Sequence, residues 1–172
     1  MQLTRKHLLA AAIVSILAVF FAVRYLAVCE ETEVRRRLRQ LAGNLSRRQA
    51  DSGLRLSLKN QRLAALLADP CRFVVPTYEI DVAMRPRQAA AEVFRLHSQI
   101  SQVSVRFYDV RVDFPEPRRA AVRTTAYVRA RNGTERRAGA FADEFELSID
   151  MVLDQRDGWL FARFEQVEVL QR

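Results

Sequence analysis

From residue 103 onward the chain alternates between apolar and polar side chains, and this alternation restricts it to long β-strands with one buried face. Residues 120–131 show the pattern most clearly. One face of that strand carries Ala120, Val122, Thr124, Ala126 and Val128. The opposite face carries Arg119, Arg123, Tyr127, Arg129 and Arg131. We therefore expect an arginine-rich outer surface over an apolar interior.

The preceding strand, over residues 103–114, changes phase part-way along its length. Its apolar residues form two groups of opposite parity. The groups are Val103, Val105 and Phe107, and then Val110, Val112 and Phe114. One extra residue near Tyr108 and Asp109 would bring both groups to a single face, and a β-bulge supplies such a residue. The sequence therefore predicts a bent strand with a bulge at this point.

Two more strands follow, joined by short turns. We predict a strand over 141–153 and a last strand over 159–170. The buried face of the first consists of Phe141, Phe145, Leu147, Ile149, Met151 and Leu153. Asn132-Gly133 and Asp157-Gly158 are typical hairpin turns, so the four long strands should be antiparallel neighbours.

The part of the chain before residue 100 has helical periodicity. Val34, Leu38, Leu41 and Leu45 recur at helical spacing within 30–46, which fits a helix packed on a core or, alternatively, a stalk or dimerising coil. We predict a second helix from a cap at Asp51 or Ser52 to about Ala68.

Short strands over 71–75 and 78–84 follow, and then a third helix over 86–100. The expected buried face of that helix is Ala90, Val93, Phe94 and Ile100. Because helices precede strands, the sequence predicts an α+β fold in which three helices pack on a bent antiparallel sheet.

The N-terminal region contains an apolar stretch over 8–28 that is long enough to span a bilayer. Arg24 is its only charged residue and lies near one end, where it can reach the interface. We favour an uncleaved transmembrane anchor over a cleaved signal peptide, whose apolar core is shorter. A third alternative is a lipoprotein, because Leu26-Ala27-Val28-Cys29 is similar to a bacterial lipobox.

Charge suggests how the chain is oriented. Arg5 and Lys6 precede the span and favour a cytoplasmic N-terminus, which places the domain outside the cytoplasm at a bacterial inner membrane. We divide the chain into a basic tail (1–7), an anchor (8–28), an amphipathic helix or stalk (29–50) and an α+β domain (51–172). The first helix of that domain could begin near residue 31.

The order of elements over about residues 31–172 resembles the nuclear transport factor 2-like superfamily, whose cone-shaped α+β fold is also called cystatin-like. The most specific local feature is the closing hairpin over 152–161, where Asp157-Gly158-Trp159 matches an acid-Gly-Trp turn of many members. An anchored member is also similar to bitopic components of type IV secretion systems. The resemblance implies a cone with an apolar interior, but such cones serve as enzymes, ligand binders and assembly modules.

Enzymes of that superfamily place Asp, His and Tyr inside the cone, and three residues are candidates here. Asp143 shares the parity of the buried face, and a buried carboxylate would have a raised pKa and could act as a base. Alternatively, Asp143 lies in solvent at the ragged start of its strand. His97 is a possible base or a surface or capping residue, and Tyr78 is a third candidate. Asp81, Tyr108 and Asp109 have no indicated convergence.

Motifs for cofactors are absent from the sequence. It contains no phosphate loop, nucleophile elbow or spaced metal ligands, and Cys29 and Cys71 indicate neither a disulfide framework nor a metal site. We therefore predict no cofactor and no metal. The net charge is +8, and alternating arginines could contact an anionic surface such as lipid, although such rows are usually solvated. These are Arg119, Arg123, Arg129 and Arg131.

The function we expect is a membrane-anchored, non-enzymatic domain that binds a protein partner or forms a homodimer. The alternative is a domain that binds a small apolar molecule, or an isomerase- or dehydratase-like enzyme that uses the cavity of the cone. We do not expect nucleic acid as a partner.

Overall fold

The structure is a computed structural model that describes residues 28–131 and 140–167. It divides into two units, residues 1–33 and residues 34–172. In the first unit the described residues are helical, and the Thr32 hydroxyl donates to the Val28 carbonyl at 2.8 Å. The predicted anchor over 8–28 lies outside the described residues except for Val28. Within the described ranges, no helix is long and apolar enough to cross a membrane.

The described part of the second unit has three helices and one sheet of six strands. Helix α1 comprises residues 34–45, and α2 and α3 are Gly53–Ala64 and Pro86–Gln99. The strands are β1 (Leu67–Val75), β2 (Ile80–Met84), β3 (Gln102–Glu116), β4 (Arg119–Arg131), β5 (Ala140–Asp154) and β6 (Gly158–Val167). They lie in the order β2-β1-β6-β5-β4-β3. The predicted α+β class is confirmed.

The sheet is mixed, so the prediction of an antiparallel sheet was wrong for one pair of strands. Strand β1 runs parallel to β6, with Phe73 opposite Phe164 and Val74 opposite Glu165, while the other neighbours are antiparallel. Alternation in the sequence shows that a segment is a strand, but it does not show which distant strand becomes its neighbour.

The predicted bulge in β3 is confirmed. Its pairing with β4 shifts between Tyr108 and Arg111, and Asp109 has a positive φ of 51°. On either side of the shift, Phe107 pairs with Ala126 and Val112 with Val122. Because Ala126 and Val122 are both buried, the extra residue does bring the two apolar groups to the same inner face.

The turn between β5 and β6 is also confirmed. Asp154 Oδ1 accepts hydrogen bonds from the backbone N–H groups of Arg156 at 2.7 Å and Asp157 at 3.0 Å. Gly158 follows with φ of 76°, a conformation that glycine adopts without strain. The predicted Asn132-Gly133 turn and the end of the last strand at 168–170 lie outside the described residues.

The helices differ in detail from the prediction. Val34, Leu38 and Leu41 of α1 are almost fully buried, so α1 packs on the core. Helix α2 is capped by Ser52 but ends at Ala64 rather than near Ala68, because the chain from Leu67 pairs with β6.

Two expected core residues are exposed. Phe94 of α3 is 41% exposed, because the buried side of the helix runs through Ala90 and His97 instead. Phe141 is 57% exposed near the first residue of β5. The segment predicted as one strand over 78–84 begins with a 3₁₀ turn at Pro76–Tyr78, and β2 starts only at Ile80.

Candidate functional site

A pocket of about 340 Å³ lies between the three helices and the inner face of the sheet. Every element of that interior except β3 and β4 contributes to its lining. The lining residues are Leu41, Leu45, Leu63, Leu67, Phe73, Met84, Ala89, Glu92, Val93, Leu96, Leu147 and Phe164. Apart from Glu92 they are apolar, so the pocket suits a ligand without charge or hydrogen-bonding groups in its buried part.

Aromatic rings form one wall of this pocket. Phe73 and Phe164 stack with ring centroids 5.5 Å apart, and Phe164 also stacks on Phe161 at 5.4 Å. The strand pairing explains this contact, because Phe73 and Phe164 lie opposite each other in β1 and β6. The parallel pair that the sequence did not predict therefore builds a wall of the pocket.

Glu92 lies at the rim rather than in the interior. Its side chain is 52% exposed, and it forms an ion pair with Arg95 at 2.8 Å. The Glu92 carboxylate therefore lies in solvent beside Arg95, at the mouth of the pocket rather than inside it.

His97 is buried but does not line the pocket. Its Nε2–H donates to the carbonyl of Leu45, the last residue of α1, at 2.8 Å. Burial lowers the pKa of His97, and the nearby positive charges of Arg47 and Lys59 act in the same direction. The arrangement corresponds to the capping alternative for this histidine, since a carbonyl at a helix end needs a donor.

Asp143 and Tyr78 share a second cleft of about 450 Å³. Phe73, Leu147 and Phe164 line both this cleft and the apolar pocket, so the two cavities adjoin. Asp143 is exposed and accepts a hydrogen bond from the backbone N–H of Glu144 at 2.9 Å, and Tyr78 is 73% exposed. The structure thus brings two of the three candidates to one cleft, in solvent, and leaves His97 elsewhere.

The arginine row of β4 is divided among different surroundings. Arg119 forms an ion pair with Glu116 at 3.3 Å. Arg123 lines a cleft that also contains acidic side chains. Arg129 and Arg131 instead line a separate cleft together with Arg106 of β3, a residue that we did not single out from the sequence. Because β3 changes phase, its sequence alone did not indicate which of its side chains lie on the outer face.

Metal and thiol chemistry have little support in the described part of the chain. Among those residues, no group of three or more His, Cys, Asp or Glu side chains could hold a metal ion. Cys71 is fully buried, and burial raises the pKa of its thiol to about 12, which makes it unreactive. Cys29 is exposed and unpaired.

No protein-family model matches this chain, and no curated protein matches it in sequence. Solved structures do match it. A nuclear transport factor 2-like superfamily protein from Salmonella enterica has a TM-score of 0.65 at 7% identity, over 84% of this chain and 94% of that one. A nuclear transport factor 2-like protein with a cystatin-like fold from Novosphingobium aromaticivorans has a TM-score of 0.65 at 14% identity, over 88% and 90%.

A third similar structure is a candidate scytalone dehydratase, also from Novosphingobium aromaticivorans. It has a TM-score of 0.64 at 17% identity, over 84% of this chain and 87% of that one. These comparisons show that the chain has the nuclear transport factor 2-like, or cystatin-like, fold. Identities this low carry the fold and not the function.

Proposed function

We propose that this chain is a membrane-anchored, non-enzymatic binding protein that holds a small apolar molecule in the pocket between its helices and sheet. The observation that carries the proposal is the pocket of about 340 Å³ with a lining that is apolar except for Glu92 at the rim. Apolar cavities of this kind bind ligands by removing apolar surface from water.

The anchoring part of the proposal rests on the sequence over 8–28. An apolar stretch of that length is what a bilayer span requires, and the basic residues before it favour a domain outside the cytoplasm. A protein held at a bilayer is close to a reservoir of apolar molecules. The protein partner or homodimer that we expected from the sequence remains a prediction beside this function.

An enzymatic function is the second possibility, because one similar structure is a candidate scytalone dehydratase. Dehydration requires a base and an acid within hydrogen-bonding distance of the substrate. Asp143 and Tyr78 could serve only a substrate that extends from the pocket into the adjoining cleft, and His97 already donates to Leu45. We therefore favour binding over catalysis.

Native mass spectrometry of the full chain, extracted in mild detergent and titrated with decan-1-ol, tests this function. We expect an adduct on the wild-type chain. Ala89→Phe should abolish it, because Ala89 lines the pocket and a phenyl ring would fill it. Ala91→Phe is the matched control, because Ala91 lies on the same helix but is exposed. A folded wild-type chain without any adduct, or an equal loss of the adduct in both variants, would contradict the proposal.

A further inference from the structure

Three arginines surround a cleft of about 350 Å³ on the outer face of the sheet, beside the edge strand β3. We call it the arginine cleft and define it by Arg106, Arg129 and Arg131. Arg106 lies opposite Tyr127 in the β3–β4 pair, and Ser104 lies opposite Arg129. The pairing therefore places the three guanidinium groups on the same face of two adjacent strands.

The side chains of these three arginines have no ion pair and no hydrogen bond among the described residues. Some other exposed arginines of this protein have acidic partners. Arg72 pairs with Asp81 at 2.5 Å and Arg119 with Glu116 at 3.3 Å. Among the described residues, no carboxylate lines the arginine cleft, and the nearest acid by strand pairing, Glu144 opposite Tyr127, does not line it. Within the described ranges, the cleft therefore gathers three guanidinium groups without a carboxylate in its lining.

Such an arrangement favours an anion with several oxygen atoms. Each guanidinium offers a planar fork of N–H donors that fits the oxygens of a phosphate, and like charges held together are stabilised when an anion binds among them. The remaining lining consists of the side chains of Gln102, Ser104 and Tyr127, which add hydrogen-bonding groups. We propose that the arginine cleft binds a phosphate monoester dianion.

The lining argues against other anionic partners. Tyr127 is the only aromatic residue among the described residues of the lining, whereas single-stranded nucleic acids are held by a series of aromatic stacking platforms. A lone carboxylate carries one charge and two coplanar oxygens, so it would leave many N–H donors of three guanidinium groups unmatched. Two sources share the preferred chemistry, a soluble phosphate ester and the headgroup of a membrane lipid.

Isothermal titration calorimetry of the full chain in non-ionic detergent separates these sources. The probes are glycerol 3-phosphate, dihexanoyl phosphatidic acid and, as a zwitterionic comparator, dihexanoyl phosphatidylcholine. We expect saturable binding of the first two at low salt and none of the third. Equal affinity for the first two would indicate a soluble phosphate ester, and tighter binding of the phosphatidic acid would indicate a lipid headgroup.

Variants test whether the binding belongs to the arginine cleft. Arg129→Gln should weaken the binding of both phosphates about tenfold, the effect of losing one charge-assisted hydrogen bond. Arg119→Gln is the matched control, because Arg119 is an exposed residue of the same strand that lies outside the cleft. Equal weakening by both variants, or no saturable phosphate binding, would overturn the inference. The apolar pocket is a separate cavity, so either proposal can fail without the other.

Discussion

The amino group of Lys59 lies 2.6 Å from the carboxylate of Asp51, whose side chain is only 2% exposed. Lys59 also donates to the carbonyl of Ser46 at 2.8 Å, and Asp51 accepts from the backbone N–H of Arg48 at 3.0 Å. This buried pair therefore connects the end of α1 to α2. Because Leu41 and Leu45 of α1 and Leu63 of α2 line the apolar pocket, the pair also holds two of its walls together.

Removing the cation should destabilise the domain. Lys59→Met leaves the buried Asp51 carboxylate without its closest partner, so we expect the free energy of unfolding to fall by about 2–3 kcal/mol. Arg55→Met is the control, because Arg55 lies 3.5 Å from the same carboxylate but is 64% exposed, and exposed pairs contribute about 0–1 kcal/mol. Urea denaturation measures both changes, and equal losses would contradict the central role of Lys59.

The same pair should make stability depend on acidity. Burial alone would raise the pKa of Asp51, but the hydrogen bonds from Lys59 and Arg48 and the charge of Lys59 lower it from 3.8 to about 2. The unfolded chain therefore binds more protons in this range. The stabilisation is complete above pH 3.8 and should be lost as the pH falls through about 2. Denaturation midpoints across this pH range should fall in the wild type. In Asp51→Asn the part of this fall that comes from Asp51 should be absent, because the amide does not titrate.

His97 predicts a second dependence on pH in a different range. Burial lowers the pKa of His97 below the ordinary 6.5, so the unfolded chain takes up this proton at a higher pH than the folded one. The stabilisation is present above pH 6.5 and should decline as the pH falls below that value. His97→Gln should remove this decline, because its amide can donate to Leu45 without titrating. A decline of the same size in His97→Gln would show that another group is responsible.

The features of the fold that were predicted correctly from the sequence are those that depend on a few neighbouring residues. The phase change at Tyr108 and the Asp157-Gly158 turn are properties of a few neighbouring residues, and both were predicted correctly. The parallel pairing of β1 with β6 joins residues that are distant in the chain. Leu67 therefore lies in β1, although the residues just before it in the chain have the composition of a helix and we predicted helix there.

The candidate sites were less predictable for the same reason. The apolar residues around the pocket, such as Leu63 and Met84, have the pattern of ordinary core residues, and only packing determines that a space remains between them. Arg106 faces Tyr127 in the β3–β4 pair, and this register of a bulged strand places it in one cleft with Arg129. Its contribution to the arginine cleft could be seen only once the register was known.

The bulge itself has a specific support that can be tested. The Thr124 hydroxyl donates to the carbonyl of Tyr108 at 2.7 Å, and Thr124 is buried. Thr124→Val keeps the shape but removes this hydrogen bond, which should cost about 1 kcal/mol of unfolding free energy. Thr125→Val is the control, because Thr125 is only partly buried on the other face of the strand. Thermal unfolding measures the stability of both variants. A Thr124→Val variant as stable as wild type would show that this hydrogen bond does not stabilise the bulge.

Gly158 should be the glycine least tolerant of substitution among those described. It has φ of 76°, and a Cβ added there would lie 2.7 Å from the Arg37 Nη2, which donates to the carbonyl of Asp157. Gly158→Ala should therefore lower the unfolding free energy by about 1–2 kcal/mol, from the left-handed backbone alone. Gly53→Ala serves as the comparison, because nothing lies within 4 Å of its added Cβ and alanine favours the helix that begins there. Urea denaturation should rank Gly53→Ala at or above wild type and Gly158→Ala below it, and the reverse order would show that the turn does not require glycine.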